Sequence, residues 1–232
     1  MVTRRRVFAS SLGTKIVIGT TGLALFLYLI THLAGNLLFL LGPRVFNEYA
    51  HTLTSNPLIP VIEIGLVLVF LIHVYKTVRM FLANEQARPA RYVKKAYAGP
   101  PSRKTIASST MIFSGLWLFV FVILHVKAFK YGPDYQTIDA SGAGTTIHDL
   151  YRVEMENFSN PLTVGFYVLS MLVVGSHLWH GVASGFQSLG IEGGDNPFWA
   201  SRILLFGKTM AVVIAAGFIA IALWAYFAGS GA

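Results

Sequence analysis

Five of the seven histidines lie inside long apolar stretches, where an ionisable side chain is unfavourable unless it has a function or a partner. These five are His32, His73, His125, His177 and His180. Imidazole nitrogens from two separate helices can fill both axial positions of a haem iron, and a haem ligated in this way carries electrons and does not bind oxygen. The placement therefore indicates haem-based electron transfer, with a hydrogen bond between helices as the alternative for each histidine.

The depth of each histidine within its apolar stretch sorts four of them into two pairs. At a helical rise of about 1.5 Å per residue, His32 and His125 lie roughly 7 and 11 Å from the midpoints of their stretches toward one side. His73 and His177 lie roughly 4 and 5 Å from the midpoints toward the other side. The sequence thus predicts two haem sites, His32 with His125 and His73 with His177, about 14 Å apart along the membrane normal.

The spacing of His177 and His180 allows another kind of metal site. They are three residues apart and could share a zinc or copper ion on one helix face. No carboxylate or third histidine is placed to join them, so a hydrogen bond or a proton relay is the preferred interpretation of His180. The chain contains no cysteine, which excludes iron–sulfur clusters, zinc–thiolate sites, disulfides and thiol catalysis within it.

The elements that must position these histidines are transmembrane helices. A bilayer core about 30 Å thick requires about 20 apolar residues per helix. Five stretches are long enough, at roughly 14–41, 58–83, 105–130, 161–186 and 203–228. Charged residues make up only 12% of the chain, about half the share of a soluble domain, which excludes a water-soluble enzyme. The predicted fold is all-α, a single membrane domain over 1–232 built as a bundle of five spans.

Lysine and arginine are distributed unevenly over this topology. With the N-terminus inside, fourteen of the eighteen lie on the cytoplasmic side. The asymmetry predicts a cytoplasmic N-terminus and an outer C-terminus in the inner (cytoplasmic) cell membrane. Contact with anionic lipid headgroups explains the net charge of +8 without a nucleic-acid partner, and the cytoplasmic charge could also hold a soluble subunit.

Two connections between the stretches are longer than a turn. Residues 83–104 are basic and expected to be partly helical. Residues 131–160 contain a flexible stretch at 141–144, followed by a short surface helix expected at 147–158. Neither connection is large enough for a catalytic domain.

Short motifs accompany the histidines in a fixed order along the chain. They are His32–Leu37, Phe46–His51, Ser55–Ile59, Glu63–Gly65 before His73, Ser109–Gly115 before His125, Phe158–Leu162, His177–Gly181 and Phe186–Gly190. In their order and spacing these motifs resemble the cytochrome b558 subunit of succinate dehydrogenase and fumarate reductase, the membrane anchor of respiratory complex II. The form it resembles has one anchor polypeptide, five helices and two haems b.

The resemblance implies that His32, His73, His125 and His177 are the axial ligands, with His73 and His177 at the haem nearer the cytoplasm. It also implies that a flavoprotein subunit oxidises succinate and an iron–sulfur subunit delivers the electrons. This chain would anchor both subunits and pass electrons to quinone, with menaquinone the commoner partner and fumarate reduction the reverse direction. Without cluster cysteines or a dinucleotide-binding fingerprint, it would be the non-dehydrogenase subunit. The whole complex could form a higher oligomer.

Two groups of polar residues are candidates for the quinone site. On the outer side Arg44, Asn47, His51 and Glu63 cluster between the first two spans. Glu63 lies about one turn inside the second span, either as a proton-handling group or as an interfacial acid that pairs with Arg44 or caps the helix. On the cytoplasmic side, Ser11 and Lys15 are the competing placement.

Haem propionates are anions and require cationic partners. The available cations are Arg79, Lys76 and Lys208 near the cytoplasmic end and Arg44 or Lys127 near the outer end. Positive-inside anchoring is the alternative explanation for the cytoplasmic ones.

Two other functions remain as alternatives, and a third is excluded. The cytochrome b of a quinol–cytochrome c complex requires two widely spaced histidines on each of two helices, and no span here has that spacing. Cytochrome b anchors of hydrogenase or formate dehydrogenase are closer alternatives, since they also use a few transmembrane histidines. A transporter would instead use the histidines as substrate or proton ligands.

Overall fold

The computed structural model describes residues 10–87, 110–139, 144–191 and 197–229, and in these residues the protein is almost entirely helical. The helices of this part of the chain are α1 (Ser11–Asn36), α2 (Pro43–Thr54), α3 (Ile59–Gln86), α4 (Met111–Phe129), α5 (Leu150–Phe158), α6 (Pro161–Ser188) and α7 (Pro197–Gly229). A 3₁₀ turn, Leu37–Leu41, extends α1. Two short antiparallel strands, β1 (Gln136–Ile138) and β2 (Thr146–His148), lie between α4 and α5.

Five of the described helices are long and apolar enough to cross a membrane, which confirms the predicted all-α bundle. They are α1 with its 3₁₀ turn, α3, α4, α6 and α7. The protein is therefore a multi-pass membrane protein. The largest difference in a described boundary is at α7, which begins at Pro197 instead of 203. Positions 105–109 of the third predicted span, most of the 83–104 connection and residues 140–143 lie outside the described residues.

Local sequence signals determine where the spans begin. Ser10 caps α1 because its side chain accepts a hydrogen bond of 3.1 Å from the backbone N–H three residues on. Asn160 caps α6 by accepting a bond of 2.8 Å from the backbone N–H of Leu162, two residues on. Pro161 follows at the first helical position, where its missing N–H costs nothing. Gly42 turns the chain between the 3₁₀ turn and α2 at a φ of 99°, a conformation that favours glycine.

Helix α6 lies at the centre of the bundle and packs most extensively against α7, with α1 and α4 as further neighbours. The crossing of α1 and α6 depends on Gly19 and Gly185. A Cβ added to Gly19 would lie 3.1 Å from the carbonyl oxygen of Gly185, so the two backbones approach closely only because both residues are glycine.

Helix α3 differs from the other spans because none of its residues is buried. It packs against α1 and α4 along one face. Large apolar side chains such as Val61, Ile64 and Leu68 are exposed on the remainder of the helix. A surface of this kind on a long apolar helix suits contact with lipid.

Short elements close one end of the bundle, which we call the α5 end: the 3₁₀ turn, α2, the two strands and α5. Phe39 in the 3₁₀ turn is completely buried, with its ring centroid 4.6 Å from that of Tyr151 and 5.5 Å from that of Trp224. The buried Asn47 of α2 donates to Asp149 Oδ1 at 2.7 Å and accepts from the backbone N–H of Tyr151 at 2.9 Å. This end is therefore a packed cap. By the charge asymmetry it is predicted to face outward.

The surface helix expected at 147–158 is confirmed only from Leu150 onward. Ile147 lies in β2, opposite Thr137 of β1, and its side chain is buried. The helix begins after Asp149, whose side chain accepts from the N–H of Arg152 at 3.1 Å. The capping aspartate thus separates a short hairpin, which the sequence analysis missed, from the helix.

Candidate functional site

His32 of α1 and His125 of α4 lie close together near the α5 end. Their ring centroids are 5.9 Å apart and their planes are nearly perpendicular, at 86°. A metal ion bound about 2 Å from one nitrogen of each of two imidazoles separates the ring centroids by roughly 6 Å. The two predicted partners are therefore close enough to share one metal ion.

Aromatic rings surround this first pair. Tyr28 stacks on His32 with centroids 5.3 Å apart, and Phe218 of α7 lies 5.5 Å from the same ring. Phe121 and Phe129, one turn to either side of His125 on α4, lie 5.6 and 5.1 Å from its ring. The flat apolar walls suit a large planar ligand better than a small hydrated ion.

His73 of α3 and His177 of α6 each meet a hydroxyl group of a neighbouring helix. Thr21 Oγ1 of α1 lies 3.1 Å from His73 Nδ1, and Ser114 Oγ of α4 lies 2.9 Å from His177 Nδ1. His177 is also close enough to His73 for the two side chains to interact electrostatically. Each ring of the second predicted pair is thus held by a helix that supplies the first pair.

The two hydroxyl groups determine which ring nitrogen carries the proton. Thr21 Oγ1 donates to the carbonyl oxygen of Val17 at 2.7 Å, and Ser114 Oγ donates to that of Met111 at 3.0 Å. When a hydroxyl gives its one proton to that carbonyl, it accepts from the Nδ1–H of its histidine. Nε2 then keeps its lone pair, as a metal ligand requires, and the outer hydrogen bond orients the ring.

The first pair is held differently. Asn36 Nδ2 lies 3.4 Å from His32 Nδ1, beyond the usual length of an N–H···N bond, and donates to the carbonyl oxygen of His32 at 2.8 Å. The hydroxyl of Tyr167 lies 3.3 Å from His125 Nδ1 and can donate to it or accept from it. The proton position at His125 therefore depends on Tyr167 of α6.

The residues after Thr21 and Ser114 are glycines, and both leave room for a histidine ring. A Cβ added to Gly22 would lie 3.0 Å from Cε1 of His73, which is too close without a shift of the ring. A Cβ added to Gly115 would lie 3.6 Å from Cε1 of His177, in ordinary contact. Each hydroxyl–glycine dipeptide thus forms a seat for one imidazole.

A repeated spacing along α1 and α4 links the two levels. Thr21 precedes His32 by eleven residues, and Ser114 precedes His125 by eleven residues. Eleven residues are about three helical turns, or roughly 16 Å along the axis. Each of these helices therefore carries a histidine at one level and a seat for another helix's histidine at the other. Sequence reasoning missed this role of Thr21 and Ser114, and the shared spacing is the signal that could have revealed it.

The donor set fits haem. Among the described residues no group of three or more histidine or acidic side chains could hold a metal ion. A porphyrin supplies four equatorial nitrogens and requires two axial ligands, which each pair provides. Within the same residues, the side-chain hydrogen-bond partners of the four rings all lie at Nδ1.

The acidic residue near the α5 end has a different partner from the one considered. Glu63 Oε1 accepts from Lys130 Nζ, just after α4, and both side chains are partly exposed. Arg44 Nε instead donates to Glu48 Oε1 at 3.2 Å, one turn along α2. The alternative that Glu63 pairs with Arg44 or caps its helix is therefore wrong. His51 and Arg44 line an open cleft of about 300 Å³.

The candidate residues near the opposite end are exposed. Arg79 Nη1 donates to the hydroxyl of Tyr75 at 3.2 Å. Lys208 Nζ lies 5.2 Å from the ring centroid of Trp179, which comes between His177 and His180 in sequence. Ser11 and Lys15 lie on the first turns of α1, with both side chains accessible. Lys208 thus lies close in space to Trp179, which is two residues from the predicted ligand His177 in sequence.

No family model, no curated protein and no solved structure matches the chain.

Proposed function

We propose that the chain is the di-haem cytochrome b membrane anchor of a succinate:quinone oxidoreductase, the respiratory complex II. One observation carries the proposal: four half-buried histidines lie on four spans, with the first pair in ring contact and each ring of the second pair bonded at Nδ1 to a hydroxyl group of a neighbouring helix. The motif resemblance supplies the class of complex, and the geometry supports the haem pairing.

The protein residues position and hold two haems b. Nε2 of His32 and His125 would bind one iron, and Nε2 of His73 and His177 the other. Thr21 and Ser114 accept the Nδ1 protons of the second pair and hold its rings in place. When bound, haem supplies one-electron redox chemistry, while the protein sets its ligands and surroundings.

The remaining assignments follow from the class of complex. The basic side, predicted to be cytoplasmic, would dock an iron–sulfur subunit and a flavoprotein, and the apolar spans would lie in the inner membrane. Arg79, Lys208 and Arg44 remain the candidates for propionate contacts. (Mena)quinone would bind near Glu63 and His51 or near Ser11 and Lys15. The chain would be the quinone-reacting subunit, without dehydrogenase chemistry of its own.

Haem content of histidine variants tests the proposal. The purified chain should show a haem b band in its reduced-minus-oxidised spectrum. His73→Ala or His177→Ala should each remove one haem, and His32→Ala or His125→Ala the other, because a haem that loses one of two axial ligands binds weakly.

His180→Ala is the matched control, since it lies on the same helix as His177 and should retain both haems. A chain without any haem band would overturn the proposal. Loss of the same haem from His73→Ala and His125→Ala would overturn the pairing.

A further inference from the structure

Glu154 at the α5 end is a buried residue whose carboxyl group has no partner in the described part of the chain. It is 6% exposed, and the described residues give it neither a hydrogen bond nor an ion pair. Its oxygens keep some contact with the surface, since every fully buried side-chain oxygen of the described residues has a hydrogen-bond partner. Burial alone raises the pKa of Glu154 to about 8. An acid whose pKa lies near neutral pH loses or gains its proton in response to small changes in nearby charge.

Glu156 shows how different the environment is two residues further along α5. It accepts from Arg152 Nε at 2.8 Å and from the hydroxyl of Tyr135 at 2.6 Å, and it is exposed to solvent. These contacts lower the pKa of Glu156. The two glutamates therefore allow a matched comparison: Glu156 is charged and solvated, whereas Glu154 is buried and has a raised pKa.

One side chain, Tyr167, lies between Glu154 and His125 of the first histidine pair. Phe158, one turn further on α5, packs edge-on against the ring of Tyr167 with centroids 5.0 Å apart. The carboxyl group interacts electrostatically with Tyr167, whose hydroxyl lies 3.3 Å from His125 Nδ1. Tyr167 thus links the two: it interacts electrostatically with Glu154 in the cap of the bundle and lies within hydrogen-bonding distance of the predicted haem ligand His125.

Other charged groups around Glu154 leave it unpaired. Helix α5 packs against α2, α4, α6 and α7. Their titratable groups toward this end are Arg44, Glu48, Tyr49 and His51 of α2, His125 and Lys127 of α4, Tyr167 of α6 and Tyr226 of α7, with Tyr151, Arg152 and Glu156 on α5 itself. Within the described residues only Tyr167 interacts electrostatically with Glu154, and no charge offsets its burial.

We propose that Glu154 binds one proton when one electron arrives at the His32–His125 site, and releases it when the electron leaves. This deepens the proposed function and rests on it. The ferric centre has one positive charge more than the ferrous centre, so reduction removes an attraction that favours the Glu154 carboxylate. The balance is one electron to the iron, from the iron–sulfur subunit or a chemical reductant, and one proton from water at the α5 end to a Glu154 oxygen.

A redox titration across pH tests this coupling in the purified holoprotein. The midpoint potential of the haem held by His32 and His125 should fall as pH rises from about 6 to 9, since a higher pH opposes proton uptake on reduction. In Glu154→Gln this dependence should be lost, whereas Glu154→Asp and the control Glu156→Gln should retain it. The same slope in Glu154→Gln and wild type would overturn the proposal.

Infrared difference spectroscopy gives an independent readout. Reduction of the wild type should produce the carbonyl band of a newly protonated carboxylic acid, absent from Glu154→Gln and present in Glu156→Gln. A wild-type protein with both haems and no such band would overturn the coupling and leave the proposed function standing. A protein without haem would instead overturn the proposed function.

Discussion

At the scale of single residues, the two hydroxyl groups distinguish the second histidine pair from the first. Thr21 and Ser114 each contact a backbone carbonyl oxygen and the Nδ1 of one histidine of that pair. The four histidines were predictable because an imidazole in an apolar span is conspicuous in sequence. Their hydroxyl partners were not, because a serine or threonine in a span is common and its partner depends on how neighbouring helices are rotated.

Removing one of these hydroxyls should weaken only one haem. Thr21→Val should lower the affinity for the haem at His73 and His177 by about 10–100-fold, because the ring loses its orienting bond. The measurement is the haem-to-protein ratio after extended dilution in detergent. The control is Thr31→Val on the same helix, whose hydroxyl donates only to the carbonyl of Tyr28. Equal loss of both haems from Thr21→Val would contradict this role.

At the scale of elements, length and apolarity were sufficient to predict the spans, and turn chemistry placed most of their ends. The hairpin was missed because β1 and β2 have three residues each, too short for an alternating pattern to be recognised. Helix α2 was not predicted, although Pro43 at its start is a helix-initiating signal. Close helix contacts were also hidden, since a glycine in sequence does not show which backbone lies opposite it.

Filling the crossing between α1 and α6 should destabilise the bundle. Gly19→Leu would force a side chain into the carbonyl oxygen of Gly185, at a cost of about 1–3 kcal/mol in the free energy of unfolding. Circular dichroism during denaturant titration in detergent measures the change. Gly65→Leu on α3 is the matched control, because a Cβ there meets nothing within 4 Å. A comparable loss in both variants would show that the crossing is not responsible.

At the scale of the whole molecule, the bundle has two histidine levels and one capped end. The order of helices around α6 determines which histidines lie near one another. Depth along the membrane could suggest the pairs, but only packing can bring the side chains together. Glu154 shows the limit of sequence reasoning. It lies in a polar segment between spans, and nothing local indicates that α2, α6 and α7 close over it.

The burial of Glu154 should make stability depend on pH. The pKa of Glu154 is raised to about 8 in the folded protein, against about 4.3 for an unfolded glutamate. Between these values the folded state holds a proton that the unfolded state lacks, so the free energy of unfolding falls as pH rises. Denaturant titrations at about pH 5 and pH 8 should show this fall in wild type and a smaller one in Glu154→Gln.

The opposite sign is expected for the neighbouring acid. The pKa of Glu156 is lowered by Tyr135 and Arg152, so its stabilising contribution is present above the unfolded pKa and is lost as pH falls below it. Glu156→Gln should therefore keep the wild-type decline between the two pH values. Parallel curves for Glu154→Gln and wild type would contradict the assignment.

The exposed helix α3 has a consequence for how the molecule matures in the cell. It carries His73 yet buries none of its residues, and lipid offers its apolar surface as good a solvent as protein does. Under the proposed function, coordination through His73 and His177 would tie this helix to α6, so that acquiring the prosthetic group becomes the last step of assembly. Newly inserted chains that never receive it would keep a loosely attached span and become substrates for membrane proteases.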